Sequence, residues 1–301
     1  MTTPRQPDWP QGKYPLALAA PSGSFPRERF ENGLKSLAGI LSQARLRLDQ
    51  PVLRKEGYLA GDDHSRAAHL TKVMTQPGLD MVLCVRGGFG ASRLLPLLDL
   101  DALAASGRLL VGFSDITCLL LPLADHGLIT VHGPVLTQLP NLDRASFKAM
   151  TDLIQGRPPW PMTLSGEALT SGQVKAPLFG GNLTMICHLL GTPWFPDLEG
   201  KILFLEDRGE PAYRLDRLLT QLNLAGIFKK VCGVAMGQLG GKGKDAVHRR
   251  KAVVKNLEKL NMPVVIGLPF GHGSENMPVP VGAQALLDGQ TGIFTPGVDI
   301  G

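Results

Sequence analysis

The chain has 301 residues, which is enough for two domains that each bury a core. Hydrophobic residues make up 44% of it and charged residues 19%, which excludes a largely disordered protein. The net charge is +5, and its only dense cluster is residues 248–251 on a predicted helix. Because interleaved aromatic residues and a zinc-finger spacing are both missing, we interpret this cluster as a solvated helix face rather than a nucleic-acid site.

The cysteines and the N-terminus favour a reducing compartment. All four cysteines lie in apolar runs without C-x-x-C spacing, which indicates free thiols (Cys84, Cys118, Cys187 and Cys232). The first residues lack the apolar core of a signal peptide, and no apolar stretch is long enough to span a bilayer. We therefore expect a cytoplasmic protein without a membrane partner.

The first half of the sequence predicts strands that alternate with helices. Buried strands are predicted at 16–20, 81–85, 109–113 and 128–131, and helices near 30–41, 63–76 and 116–124, with Asp63 as the cap of the second helix. This alternation predicts an α/β fold, in which a parallel sheet carries helices on both faces.

The domain organisation follows from a change in the apolar pattern. The pattern weakens between residues 137 and 172, apart from a helix at 144–154, and this stretch is predicted to connect two domains. The predicted boundaries are a polar tail at 1–14, an N-terminal domain at 15–136 and a C-terminal mixed α/β domain at 173–301. Within the last, strands are predicted at 174–179, 201–206 and 231–237, and helices at 182–190, 213–222 and 245–260.

Ser114 is the first candidate for chemistry, since it lies between a buried strand and an apolar helix. Such a junction favours a nucleophile elbow, in which a sharp turn exposes the hydroxyl and the helix N-terminus offers N–H groups to an oxyanion. Hydrolases with this elbow usually have glycine two positions later, where this chain has Ile116. A serine that only caps the helix is an equally good reading of the local sequence.

The glycine-rich loop 86–90 follows a neighbouring predicted strand and would reach the same sheet edge. Its backbone can approach a ligand closely, so an oxyanion hole is predicted from the N–H of Asp115 with that of Gly87 or Gly88. A tight turn that merely requires glycine is the alternative.

The remaining candidates lie in the second half of the chain. Glu206 and Asp207 end an apolar strand, where a carboxylate can orient a histidine, although helix caps and solvated turns also have this pattern. His272 lies between two glycines and is the best candidate base. His132 lies in an apolar segment and is interpreted as a satisfied structural histidine. The order Ser, Glu, His is that of the α/β hydrolases.

Together these segments resemble the LD-carboxypeptidase family, also called muramoyltetrapeptide carboxypeptidases, which includes the microcin C immunity peptidases. The resemblance covers about residues 15–290, and it rests on A-P-S-G (20–23), V-R-G-G-F-G (85–90), G-F-S-D-I-T (112–117), H-G-P (132–134), F-G-G-N-L (179–183), L-F-L-E-D (203–207), Y-R-L-D-R (213–217) and G-H-G (271–273).

The resemblance implies a serine peptidase with Ser114 as nucleophile, His272 as general base and Glu206 as the acid that orients it. It implies no metal or other cofactor, a homodimer, and peptide substrates that end in a D-amino acid, typically the murein tetrapeptide that loses its terminal D-Ala. A carboxypeptidase must also bind the terminal carboxylate of its substrate, for which Arg86 or a helix N-terminus is suitable. Phe89 and Phe113 stand where the family often has tyrosine, which leaves the substrate preference open.

Two other functions are compatible with the same residues. A microcin-type immunity peptidase would use the same triad to cut a peptidyl nucleotide amide. A non-catalytic muropeptide-binding protein would use Ser114 only as a helix cap.

Overall fold

The computed structural model describes residues 16–41, 46–47, 54–240 and 244–300, and the predicted polar tail lies outside them. Its strands are β1 (Leu16–Ala19), β2 (Leu46–Arg47), β3 (Met81–Cys84), β4 (Leu109–Gly112), β5 (Thr130–His132), β6 (Leu164–Ser165), β7 (Glu167–Thr170), β8 (Gln173–Asn182), β9 (Ile202–Glu206), β10 (Gly233–Met236), β11 (Val264–Ile266), β12 (Val279–Val281), β13 (Gln284–Asp288) and β14 (Ile293–Pro296). Its α-helices are α1 (Arg27–Ala38), α2 (Asp63–Thr75), α3 (Leu100–Ala105), α4 (Thr117–Asp125), α5 (Arg144–Ile154), α6 (Leu183–Leu189), α7 (Ala212–Leu224), α8 (Ile227–Lys230) and α9 (Lys244–Leu257). Among the described residues, no helix has the length and apolar character needed to cross a membrane.

The first sheet has six strands in the order β12-β5-β4-β3-β1-β2. Neighbouring strands from β5 to β2 are parallel, whereas β12 runs antiparallel to β5 and places Val279 opposite His132. Parallel strands end at one edge of a sheet, so the loops after β1, β3, β4 and β5 meet there. Because β12 comes from late in the chain, the C-terminal segment completes the first sheet.

The second sheet has eight strands in the order β6-β14-β13-β8-β9-β10-β11-β7. Its centre, from β8 to β11, is parallel, and the strands on either side are antiparallel. Both β6 and β7 lie within residues 137–172, so this segment contributes two strands to the second sheet. The predicted α/β fold, with a parallel-sheet unit and a second mixed unit, is confirmed.

Helices cover both faces of the first sheet because its strands are apolar on both sides. On one face, Ala17 and Val82 pack in a cluster that contains side chains of α2 and α4. On the other face, Leu18 and Leu83 pack with side chains of α1 and α5. Successive strand residues point to opposite faces, so the continuous apolar runs in the sequence follow from burial on both sides.

Two local predictions are wrong. The cap of α2 is Asp62, whose carboxylate accepts a hydrogen bond of 2.8 Å from the N–H of Ser65, and Asp63 is the first helical residue. Arg249, from the cluster at 248–251, is buried rather than solvated. Its guanidinium donates hydrogen bonds to the carbonyls of Glu210, Gly240 and Gly209, so it ties the loops after β9 and β10 to α9.

Candidate active site

Ser114 lies in a sharp turn between β4 and α4. Its φ is +63°, and among the described residues it alone, apart from glycines, has a positive φ. A residue other than glycine in this region costs on the order of 1 to 3 kcal/mol, and such strain is concentrated at functional sites. The turn is tight, since a Cβ on Gly112 would lie 2.8 Å from Ile116 Cγ2. The structure therefore forms the elbow-type turn that the sequence predicts.

The loop 86–90 lies directly against this turn. A Cβ on Gly87 would be 2.9 Å from Ser114 Cβ and 3.3 Å from its Oγ, so only glycine allows this approach. The N–H groups of Gly87 and Gly88 donate to no other group in the described part of the chain. They are available to an oxyanion beside Ser114.

The Asp115 carboxylate joins three loops behind Ser114. Its Oδ2 accepts hydrogen bonds from the Ser22 hydroxyl and, at 2.8 Å, from the N–H of Ala91. Burial raises the pKa of this carboxyl, although these hydrogen bonds oppose the shift. Arg66, also buried, donates to the carbonyls of Pro21 and Gly90 and so holds the same loops. The sequence offered only the backbone of Asp115 as functional, and this role of its side chain was missed.

Glu206 and His272 form a buried pair. Glu206 ends β9 and is fully buried, and its Oε2 is 2.6 Å from Nδ1 of His272, whose side chain is 10% exposed. Burial acts to raise the pKa of Glu206, but the charge and hydrogen bond of His272 outweigh it, so the net pKa is lowered. At neutral pH Glu206 is therefore a carboxylate that fixes the imidazole through Nδ1.

His272 lies beside the turn that carries Ser114. Its ring centroid is 4.6 Å from that of Phe113, the residue before Ser114. The structure thus brings Glu206 at the end of β9 and His272 in the loop after β11 to the turn after β4 that carries Ser114. Among the described residues, the hydrogen-bond partner of the His272 ring is Glu206, and no direct hydrogen bond joins the ring to Ser114 Oγ.

Asn182 links Glu206 to the helix that follows Ser114, and the sequence did not single it out. Its Nδ2 donates to Glu206 Oε1 and to Asp207 Oδ1, both at 3.2 Å. Its backbone N–H donates to Thr117 Oγ1 at 3.0 Å, on the first turn of α4. Gly181, the residue before Asn182, allows β8 to approach α4 closely, since a Cβ at this position would be 2.6 Å from the Thr117 hydroxyl.

We expect Asn182→Ala to move the acid limb of the kcat–pH profile to higher pH. The hydrogen bond from Asn182 lowers the pKa of Glu206. Without Asn182, the Glu206 carboxyl should therefore take up a proton at higher pH, and the protonated carboxyl no longer holds the His272 ring as a carboxylate does. Turnover at neutral pH should fall by roughly 10- to 150-fold, since a hydrogen bond to a charged group contributes about 1.5 to 3 kcal/mol. Asn256→Ala is the matched control, because Asn256 donates to Asp216 outside this site. An unchanged acid limb would contradict the role of Asn182.

His132 lies in an aromatic cluster where the two sheets meet. It is fully buried, and its ring packs edge-to-face against Phe113 at 5.9 Å and Phe204 at 5.3 Å. Neither ring nitrogen has a hydrogen-bond partner among the described residues, so the prediction of a satisfied histidine is wrong. Burial lowers its pKa to about 4, partly opposed by the charge of Glu206.

Acid should destabilise the protein through His132. The unfolded chain takes up a proton near pH 6.5 and the folded chain only near pH 4, so stability falls as the pH drops through this window. The loss should reach roughly 2 to 3 kcal/mol at pH 4.5 relative to pH 7. His132→Phe should remove this part of the loss, measured by urea unfolding at both pH values. An equal loss in the variant would contradict this assignment.

The described residues contain no cluster of three or more His, Cys, Asp or Glu side chains that could hold a metal ion. The chemistry that the site offers is that of a hydroxyl in a strained turn, a carboxylate–imidazole pair and free backbone N–H groups. These are the parts of a hydrolase that works through a nucleophile.

Comparison with known proteins agrees with this class. The profile of the LD-carboxypeptidase N-terminal domain matches residues 16–133, and that of the C-terminal domain matches residues 175–287. A putative carboxypeptidase of Streptomyces coelicolor is 37% identical over 93% of this chain and 92% of its own length. The murein tetrapeptide carboxypeptidase of Pseudomonas aeruginosa is 34% identical over 91% of this chain and 93% of its own.

A solved structure has the same fold. The muramoyltetrapeptide carboxypeptidase of Oxalobacter formigenes superposes with a TM-score of 0.80 and 30% identity, over 93% of this chain and 97% of that one. The chain belongs to the LD-carboxypeptidase family. Family and relatives together indicate a carboxypeptidase, which is a hydrolase.

Proposed function

We propose that this protein is a serine-type LD-carboxypeptidase that hydrolyses the L,D-peptide bond before a C-terminal D-amino acid, typically the terminal D-Ala of a murein tetrapeptide. The observation that carries the proposal is the strained turn at Ser114 with the Glu206–His272 pair beside it. Relatives whose names refer to murein peptides support the substrate class.

The proposed mechanism uses these residues in turn. His272 Nε2 takes the proton of Ser114 Oγ as the oxygen attacks the scissile carbonyl carbon. The N–H of Asp115 and that of Gly87 or Gly88 hold the oxyanion. Collapse breaks the C–N bond, and His272 returns the proton to the leaving nitrogen, so the D-amino acid departs. Water, deprotonated by His272, then hydrolyses the acyl-enzyme. Glu206 holds Nδ1–H throughout and stabilises the imidazolium.

Arg86 is the proposed ligand of the substrate's terminal carboxylate. It forms no ion pair with a carboxylate in the described part of the chain, and its Nη1 donates to the carbonyl of Ser24. Burial lowers its pKa, and the nearby positive charges of Arg29 and Arg208 act in the same direction. A positive region without a counter-ion favours binding of an anion.

We propose that the protein is a cytoplasmic homodimer that needs no cofactor and acts on small peptides. The four cysteines are free thiols, which supports a reducing compartment.

The test is hydrolysis of a defined murein tetrapeptide by purified protein, with free D-Ala as the readout. Release of one D-Ala per tripeptide formed is expected. A peptidyl nucleotide amide in a parallel reaction tests the microcin-type activity, which would be indicated if only that compound is cleaved. Tight binding of the tetrapeptide without cleavage of either compound would instead indicate a muropeptide-binding protein.

A further inference from the structure

A surface pocket of about 450 Å³ opens beside the nucleophile turn and has aromatic walls. It is lined by Gly23, Ser24, Tyr58, Arg86, Gly88 and Phe89. Tyr58 is 64% exposed and Phe89 is 47% exposed, and both are among the few large hydrophobic side chains that the described residues leave in solvent. Their ring centroids are 5.7 Å apart and the rings are tilted by 58°. Two adjacent exposed rings at one pocket favour the binding of an apolar group.

The walls of this pocket are held in place by backbone hydrogen bonds. The N–H of Ser24 donates to the carbonyl of Tyr58 at 2.8 Å, and the N–H of Gly23 donates to the carbonyl of Gly87 at 3.2 Å. The Arg86 side chain also bonds Ser24. The backbone around the pocket is therefore held in place without a ligand, which lowers the cost of ordering it on binding.

The pocket lies next to the turn that carries Ser114. Gly87, between the pocket residues Arg86 and Gly88, contacts Ser114. A terminal carboxylate is only two bonds beyond the scissile nitrogen, so its ligand must lie close to the nucleophile. Arg86 precedes Gly87 in the chain, and its Cζ would be 3.9 Å from a Cβ on Gly88. A terminal residue held by Arg86 would place its side chain near Tyr58 and Phe89, which line the same pocket.

The size of the pocket does not fit a methyl group alone. The open pocket has a volume of about 450 Å³, which is more than the side chain of D-Ala fills. A ring would contact both aromatic walls, whereas a methyl group would leave them in water.

We propose that this pocket is the subsite for the terminal residue, and that it favours substrates ending in a D-amino acid with an aromatic side chain over those ending in D-Ala. This inference rests on the proposed function and names its substrate class. Arg86 binds the carboxylate, and the ring lies against Tyr58 and Phe89.

The test compares two murein tetrapeptides that differ only in the last residue, D-Ala or D-Phe. The kcat/KM for the D-Phe peptide should be about tenfold higher, since ring contacts and one apolar side chain discriminate to this extent. Tyr58→Ala and Phe89→Ala should each lower the value for D-Phe by about tenfold and that for D-Ala by no more than about twofold. Tyr213→Ala, which removes a tyrosine of 59% exposure that does not line the pocket, is the matched control.

Binding of both peptides to the Ser114→Ala protein, measured by calorimetry, separates this inference from the proposed function. Tighter binding of the D-Phe peptide than of the D-Ala peptide, with this difference lost when Phe89→Ala is added, would support the subsite. This result would hold even if the parent protein hydrolysed neither peptide. In that case only the proposed function would fail. Equal binding of the two peptides, or equal losses for both in the Tyr58 and Phe89 variants, would overturn the inference.

Discussion

Replacing Ser114 with alanine is expected to lower peptide turnover by about a millionfold while leaving the fold intact. The reason is that no other hydroxyl or thiol is proposed to attack the carbonyl, so only oxyanion binding and substrate positioning would remain. Alanine tolerates the left-handed backbone about as poorly as serine, so the turn should keep its conformation. The measurement is kcat on the tetrapeptide, with circular dichroism to verify folding.

Ser165→Ala is the control for this prediction, since Ser165 is an exposed serine on β6 of the second sheet. It should retain full turnover. Turnover within about tenfold of the parent in Ser114→Ala would exclude the serine mechanism.

Glu206→Gln is expected to lower kcat by about four orders of magnitude, as amide replacement of a triad acid can do. The amide has the same shape and can still accept the bond from Asn182. The NH₂ group of the glutamine, however, donates a hydrogen bond to His272 Nδ1, so the neutral ring carries its proton on Nε2. A general base must accept a proton at Nε2, and this tautomer cannot do so. The charge that stabilises the imidazolium is lost as well.

Glu167→Gln serves as the comparison, because Glu167 is an exposed carboxylate paired with Arg250 on the second sheet. It should leave kcat unchanged. If Glu206→Gln were equally harmless, Glu206 could not be the residue that orients the base.

The sequence predicts the parallel core well because each strand there is apolar on both faces. The runs around Leu18, Leu83 and Val111 are continuous, and continuous runs of this length are typical of strands covered by helices on both sides. Helix α5, amphipathic and begun by the cap Asp143, has the bounds that the sequence predicts. The cap of α2 was assigned one residue late because two adjacent aspartates satisfy the capping preference equally.

Long-range contacts account for what the sequence could not predict. Arg249 is buried only because the loops after β9 and β10 bring three carbonyls to it, and no local pattern records this. The return of β12 to the first sheet is a pairing of residues about 150 positions apart. Within the site, three residues had local signals in the sequence. Ser114 lies at a strand-to-helix junction, Glu206 at the end of a strand, and His272 between two glycines. Asn182 had only the signal of a helix cap, and its bond to Glu206 depends on how β8 and β9 pair.

The most direct test of the proposed nucleophile is covalent trapping with a serine-directed fluorophosphonate, followed by peptide mapping. A single adduct on Ser114 is expected, with labelling abolished in Ser114→Ala and strongly slowed in His272→Ala, because the imidazole must remove the hydroxyl proton before phosphorus is attacked. An adduct on another residue, or labelling of Ser114→Ala at the parent rate, would contradict the assignment of Ser114.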